Sequence, residues 1–227
     1  MAIKVLSCMV IGLEGKIVEV EVDILQGLSA FNIVGLGDIA VQEAKERIRS
    51  AIKNSGFTYP QQKKIINLAP AHLRKHGPHF DLPMALGILT ASGQIPFTIT
   101  DRVLIVGELA LDGSVRSIRS VLTMALFARE QGLSSIIIPA ENWHEASVVK
   151  NLNIIPVRSV KEVVEALRNS PNGHNKKIPQ NNFIPSTKIT SNSNSIEVEN
   201  DFVEIKGQEI AKRALTISAA GQHHCLI

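Results

Sequence analysis

The sequence is poor in several features that would place it in a well-marked class. It has two cysteines, Cys8 and Cys225, far apart and without the paired spacing that a disulfide framework or a zinc site uses. Aromatic residues make up 4% of the chain, with one Trp and one Tyr, so a stacking platform for unpaired bases is hard to assemble. No run of about 18 apolar residues is present to cross a bilayer. The N-terminus lacks the basic head, apolar run and small-residue cleavage site of a secretory signal. The phosphate-binding pattern G-x-x-x-x-G-K-[ST] occurs nowhere. The expectation is a reduced, cytoplasmic protein with no membrane partner.

What is present is enough apolar sequence, 44% of 227 residues, for one good core and a second small module. The net charge of +3 is modest, but its distribution is uneven. Between Glu43 and Phe80 lie eight basic residues (Lys45, Arg47, Arg49, Lys53, Lys63, Lys64, Arg74 and Lys75) against two acidic ones, Glu43 and Glu46. A concentrated patch of this kind can attract phosphate where a dispersed one cannot.

Hydrophobic periodicity gives a coarse map. An apolar run at 4–11, the turn "GLEG" and the alternating "VEVEVDI" predict a hairpin whose second strand buries Val18, Val20, Val22 and Ile24. "FNIVG" predicts another strand. "DIAVQEAKERIRSAIKNSG" predicts a helix capped by Asp38, buried through Val41, Ala44, Ile48 and Ala51, and ended by Gly56. "KKIINLA" reads as a strand. "FDLPMALGILTASG" reads as a helix with Asp81 as its N-cap, followed by the single strand "DRVLIVGELAL" and a "DGS" turn. A helix over Arg119 to Gln131, the strand "SIIIP", a short helix near Trp143 and the strand "NIIPV" follow. A last helix has Ser159 and Glu162 in capping-box spacing. The pattern predicts an α/β domain over 1–168, a polar linker over 169–200 and a short globular segment over 201–227.

Three long stretches, "GLGDIAVQEAKERIRSAI", "INLAPAHLRKHGPHFDLPMALGIL" and "GELALDGSVRSI", resemble the ComM/YifB family of magnesium-chelatase-like AAA+ ATPases. The similarity covers 1–167 and resumes at Asp201. It implies a Lon-protease-like first domain (ribosomal protein S5 domain 2 type), then the start of a AAA+ module. Full-length relatives are understood as hexameric ATP- and Mg²⁺-dependent DNA motors that promote branch migration during natural transformation. Relatives usually carry Pro where this chain has Gly37, and Gly would loosen the entry to the Asp38 helix. The resemblance places Gly207 and Gln208 on the adenine side of a nucleotide and "HHCLI" just before the phosphate loop. The sequence ends before that loop, so the expectation is no ATPase activity, and no cofactor, for this chain. Lon-type proteases use a Ser–Lys dyad. By the same resemblance His79, in "GPHFD", stands at the Ser position and Leu122 at the Lys position, so a hydrolase is not expected.

Two further groups hold open alternatives. His72, His76 and His79 cluster near Asp81 and could bind zinc, but Gly77 and Pro78 break any shared helix face and favour a plain loop; "HHC" at 223–225 is comparable. Lys45, Arg49 and Lys53, at i, i+4 and i+8, with Lys63, Lys64, Arg74 and Lys75, form either a solvated surface or a DNA-phosphate contact. The leading functional expectation is a non-catalytic DNA-associated domain of a ComM-like helicase, cut short before the phosphate loop. The alternatives are an oligomerisation scaffold (the relatives being hexamers) and a gene fragment without function. Tetrapyrrole metal insertion ranks last, since no porphyrin site is identifiable.

Overall fold

Alternation in the first 25 residues produces a long hairpin of β1 (Ile3–Ile11) and β2 (Glu14–Leu25). Their antiparallel register runs from Ile3 opposite Val22 to Ile11 opposite Glu14. Val18, Val20 and Val22 are fully buried, as expected, while Ile24 at the end of the row is half-buried. The computed structural model describes residues 2–95, 102–168, 205–221 and 224. The chain divides into two units, 1–183 and 184–227. The expected linker at 169–200 lies outside the described residues.

Seven strands form one sheet. After the hairpin come β3 (Phe31–Val34), α1 (Ile39–Asn54), β4 (Lys63–Ala69), α2 (Asp81–Ala91) and β5 (Val103–Ile105). The chain then makes a two-stranded ribbon of β6 (Glu108–Leu109) and β7 (Val115–Arg116). It continues through α3 (Val121–Glu130), β8 (Ser135–Pro139), α4 (Trp143–Ala146), β9 (Asn153–Val157) and α5 (Val160–Arg168). The sheet order is β3-β4-β2-β1-β5-β8-β9. β2 is antiparallel to both β1 and β4, and the remaining neighbours are parallel. This is an α/β fold, as the sequence pattern required.

One face of the sheet buries Val5, Val20, Ile66 and Leu68 against α1, α2 and α5. The other buries Leu6, Cys8, Leu104, Ile136 and Ile138 against α3 and α4. At the core centre every residue of α2 from Asp81 to Thr90 is buried, the signature of a helix enclosed on all sides. Its Gly87 lets the helix settle on β2, because a Cβ there would lie 2.5 Å from Val22 Cγ2.

Several local expectations need correction. The stretch expected as one strand is interrupted, since Gly107 N donates to His79 O (2.9 Å), which takes the chain out of the sheet and into the β6–β7 ribbon. Asp81 does not cap α2. A 3-10 turn at Pro78–Phe80 runs straight into the helix, so no side-chain cap is needed, and the Asp81 carboxylate turns inward. The Ser159–Glu162 pair is shifted by one residue from a capping box. Glu162 N donates to Ser159 Oγ (3.3 Å), while Glu162 Oε2 accepts from Arg158 N (2.7 Å) instead of Ser159 N. The entry to α1 is held, not loosened, at Gly37. Asp38 N donates to Lys75 O (2.9 Å), Lys75 N donates to Leu36 O (3.0 Å), and a Cβ on Gly37 would strike Val41 Cγ1 at 2.5 Å.

Candidate functional site

Asp38 fixes the start of α1 by accepting from Val41 N (2.9 Å) and, with its other oxygen, from Gly77 N (3.1 Å). Burial raises its pKa, but these bonds and the nearby His76 outweigh it and hold the carboxyl below its usual range. The inner face of α1 packs Val41, Ala44, Ile48, Ala51 and Ile52 into the core. Lys45, Arg49 and Lys53 therefore stand exposed on the outer face, one helical turn apart. Lys63 is half-buried at the start of β4, and Arg74 is exposed in the loop after it.

Two of the expected phosphate contacts are spent inside the fold. Lys64 is 1% exposed, and its Nζ donates to Pro60 O (2.8 Å) and Gln62 O (2.6 Å) and lies 4.6 Å from the centre of the Tyr59 ring. Lys75 is fully buried, and its Nζ donates to Pro70 O. An ammonium so enclosed must trade its water for carbonyl acceptors, which removes it from the surface. Burial lowers both lysine pKa values, and at Lys64 the charges of Arg49 and Lys45 add to the effect. Tyr59 is buried, and Arg49 sits 6.0 Å from its ring centre, so the patch has no open aromatic platform there.

Sequence reasoning missed the Arg47–Asp81 pair. Arg47 Nε donates to Asp81 Oδ2 (2.6 Å), and its Nη2 donates to Asp81 Oδ1 (3.1 Å) and to Ala40 O (2.8 Å). Asp81 is fully buried and also accepts from Leu109 N (3.3 Å). Burial pushes its pKa up to about 6, even against the stabilising guanidinium. The signal was available: Arg47 falls on the apolar face with Ala44, Ile48 and Ala51, and Asp81 is the one charge in a stretch of apolar residues.

The three histidines separate. His72 and His76 are exposed, with His76 Nδ1 3.4 Å from Asp38 Oδ2, whereas His79 is turned inside. Burial lowers its pKa to about 4, partly opposed by the Cys8 backbone and the charge of Asp38. His79 Nε2 is buried without a hydrogen-bond partner. Among the described residues no group of three or more His, Cys, Asp or Glu is arranged to hold a metal. Of the 223–225 stretch, only His224 is among the described residues.

The two stretches compared above with a protease dyad do converge. Gly77, Pro78 and His79 face Ser117, Ile118, Arg119 and Ser120 across a cavity of about 330 Å³. Asn142 clamps the second wall from behind, since Ile118 N donates to its Oδ1 (3.0 Å) and its Nδ2 donates to Ile118 O (2.8 Å). Glu145 accepts from Leu122 N (2.9 Å) and so occupies the start of α3 that Ser120 leaves uncapped. Leu122 packs against the core on that side.

In the second unit, α6 (Glu209–Gly221) follows Gly207 and Gln208, both of which have positive φ. No described residue of α6 is buried, and a Cβ on Gly207 would meet nothing.

The family model "Subunit ChlI of Mg-chelatase" matches residues 20–142, and "Magnesium chelatase, subunit ChlI" matches residues 201–227. The competence protein ComM of Haemophilus influenzae is 38% identical over 216 residues, which is 95% of this chain and 41% of that protein. This chain belongs to the ComM/YifB family. The YifB protein of Escherichia coli is 35% identical over 217 residues, 96% of this chain and 40% of its own length. The chain thus spans about 40% of the length of these curated relatives. A more distant likeness, 27% over 175 residues and covering 69% of this chain and 31% of the other, connects it to Lon protease 2 of Bacillus subtilis. No helix among the described residues is long and apolar enough to cross a membrane.

Proposed function

We propose that this ComM/YifB-family chain is a DNA-contacting, non-catalytic region of a AAA+ branch-migration protein acting in recombination and natural transformation, with ATP and Mg²⁺ handled elsewhere in the whole protein. The observation that carries the reading is the outer face of α1. Lys45, Arg49 and Lys53 are exposed one turn apart, and Arg49 lies 6.0 Å from the centre of the Tyr59 ring that Lys64 faces from 4.6 Å, so the basic groups are gathered closely. Phosphates arriving at such a face would displace counterions and relieve the mutual repulsion. Lys63 points to the face of β4 opposite Lys64, Ile66 and Leu68, so it does not continue the α1 stripe, and Lys64 and Lys75 are buried.

Fluorescence anisotropy with labelled duplex and forked DNA, over a range of salt, tests this. Replacing Lys45, Arg49 and Lys53 together by Ala should reduce the slope of log K against log salt by about 2–3, the contribution of three lost phosphate contacts. An unchanged slope refutes the assignment.

A second reading, a self-association scaffold, is favoured by a different observation. Leu28, before β3, and Leu36 and Ile39, between β3 and the first turn of α1, are 93%, 60% and 77% exposed, and large exposed apolar side chains are candidates for contact with a second copy. Sedimentation across protein concentrations, with and without DNA, separates the two readings.

A further inference from the structure

The cavity between the 3-10 turn and the loop before α3 has no place in the DNA reading, yet it is built like a binding site. Its volume of about 330 Å³ suits one amino-acid-sized group. The floor is apolar, from Val10, Pro78, Ile118 and Met124. The polar rim is mostly donors: the Arg119 guanidinium and the hydroxyls of Ser117 and Ser120. All three side chains are exposed at the cavity mouth and have no ion pair or hydrogen bond among the described residues, so they are free to meet a ligand. His79 lines the same cavity, and its Nε2 is buried without a hydrogen-bond partner.

The rim is not a loose surface loop. Asn142 holds Ile118 through both backbone groups, and its Nδ2 also donates to Glu145 Oε2 (3.2 Å), which keeps Glu145 on Leu122 N. Ser120 is fixed at φ +64, a strained value for a residue with a side chain. The backbone that carries the donors is therefore set before any ligand arrives, while their side chains keep rotamer freedom.

We propose that this cavity binds the carboxylate of an apolar, singly charged acid, its anionic end on Arg119, Ser117 and Ser120 and its apolar body on Val10, Ile118 and Met124. Glu108 narrows the choice. It lines the same cavity, and its carboxylate is 3.7 Å from Arg116 Nη1. A ligand with a second negative charge would meet it, so phosphate and dicarboxylates are disfavoured. The acid is either a small free carboxylate or the C-terminal residue of a peptide.

The test uses ¹H–¹⁵N NMR of the whole chain titrated with N-acetyl-leucine, N-acetyl-leucinamide, the peptide acetyl-Ala-Ala-Leu and inorganic phosphate. The acids should saturate in the millimolar range or below and shift Ser117–Ser120 amides and the His79 ring, with the amide and phosphate about 10-fold weaker or worse. Tighter binding of the peptide than of N-acetyl-leucine identifies a peptide terminus; equal binding identifies a free acid. Arg119→Ala, at an exposed position that should not disturb folding, should lose about 10-fold in affinity, and Arg119→Lys should recover part of it. No saturation, equal binding of acid and amide, or an Arg119→Ala protein that binds as well as the parent would overturn the proposal.

Discussion

Replacing Arg47 by Met should expose how the centre of the fold is balanced. The substitution keeps most of the apolar stem and removes three donors, two on the buried Asp81 carboxylate and one on Ala40 O. In the native protein burial has moved Asp81 from 3.8 to about 6, a shift of about two pH units that costs about 3 kcal/mol once the group is ionised. Without Arg47 its pKa rises further, and at pH 7 the group takes up a proton instead of remaining a lone buried charge. Protonation limits the added electrostatic loss to about 1 kcal/mol at pH 7, and the lost charge-assisted hydrogen bonds add about 2 kcal/mol. The expected total is about 3 kcal/mol.

The sign of the pH dependence follows from the raised pKa. The folded state holds its proton more tightly than the unfolded chain, so Asp81 disfavours folding increasingly as pH climbs from 3.8 through 6. His79, depressed from 6.5 to about 4, works the other way and removes stability as pH falls across the same interval. The two nearly cancel in the parent protein, so the informative quantity is a difference between variants. Urea unfolding followed by Trp143 fluorescence should show the Arg47→Met deficit shrinking by about 1 kcal/mol between pH 7 and pH 5. Adding Asp81→Asn should restore most of the loss at pH 7. A deficit below about 1 kcal/mol, or one that does not change with pH, would refute the account.

Two other substitutions have defined outcomes. Lys64→Ala should lower stability by about 2 kcal/mol in the same urea assay, because Pro60 O and Gln62 O lose their donor. It should leave the salt slope of DNA binding unchanged, the reverse of the α1 triple variant. Gly87→Ala should destabilise by about 1–3 kcal/mol although Ala is the better helix former, since its methyl would press on Val22 Cγ2; a stabilised protein in thermal melts would show that α2 can lift from β2 freely.

The strands and helices were legible because their signals are local. "VEVEVDI" alternates, α1 repeats its apolar face at helical spacing, "SIIIP" is buried throughout, and "NIIPV" buries Ile154, Ile155 and Val157. Side chains whose partners lie far away in sequence were not legible. Asp81 has the composition of a cap, but the preceding turn already starts the helix, and its true partner is 34 residues upstream. Lys64 could have been read from strand parity alone, because it shares a row with Ile66 and Leu68. The cavity walls are joined only when the sheet brings 77–79 against 117–120, with a clamp from Asn142, and no spacing rule encodes that.

The same geometry decides how far the local charge excess can be trusted as a surface. Of the eight basic residues between Glu43 and Phe80, Arg47, Lys64 and Lys75 are bound into the fold by a carboxylate or by carbonyls. The buried Val41, Ala44, Ile48, Ala51 and Ile52 set the rotation of α1 about its own axis, and Arg47 on Asp81 and Asp38 at the helix start pin it. At about 100° per residue that rotation puts Lys45, Arg49 and Lys53 on the side opposite the core. A residue that could not reach Asp81 in a forked, two-bond geometry would relax this constraint, and Lys is such a residue. Arg47→Lys should therefore weaken any binding that depends on the stripe while leaving every stripe residue in place.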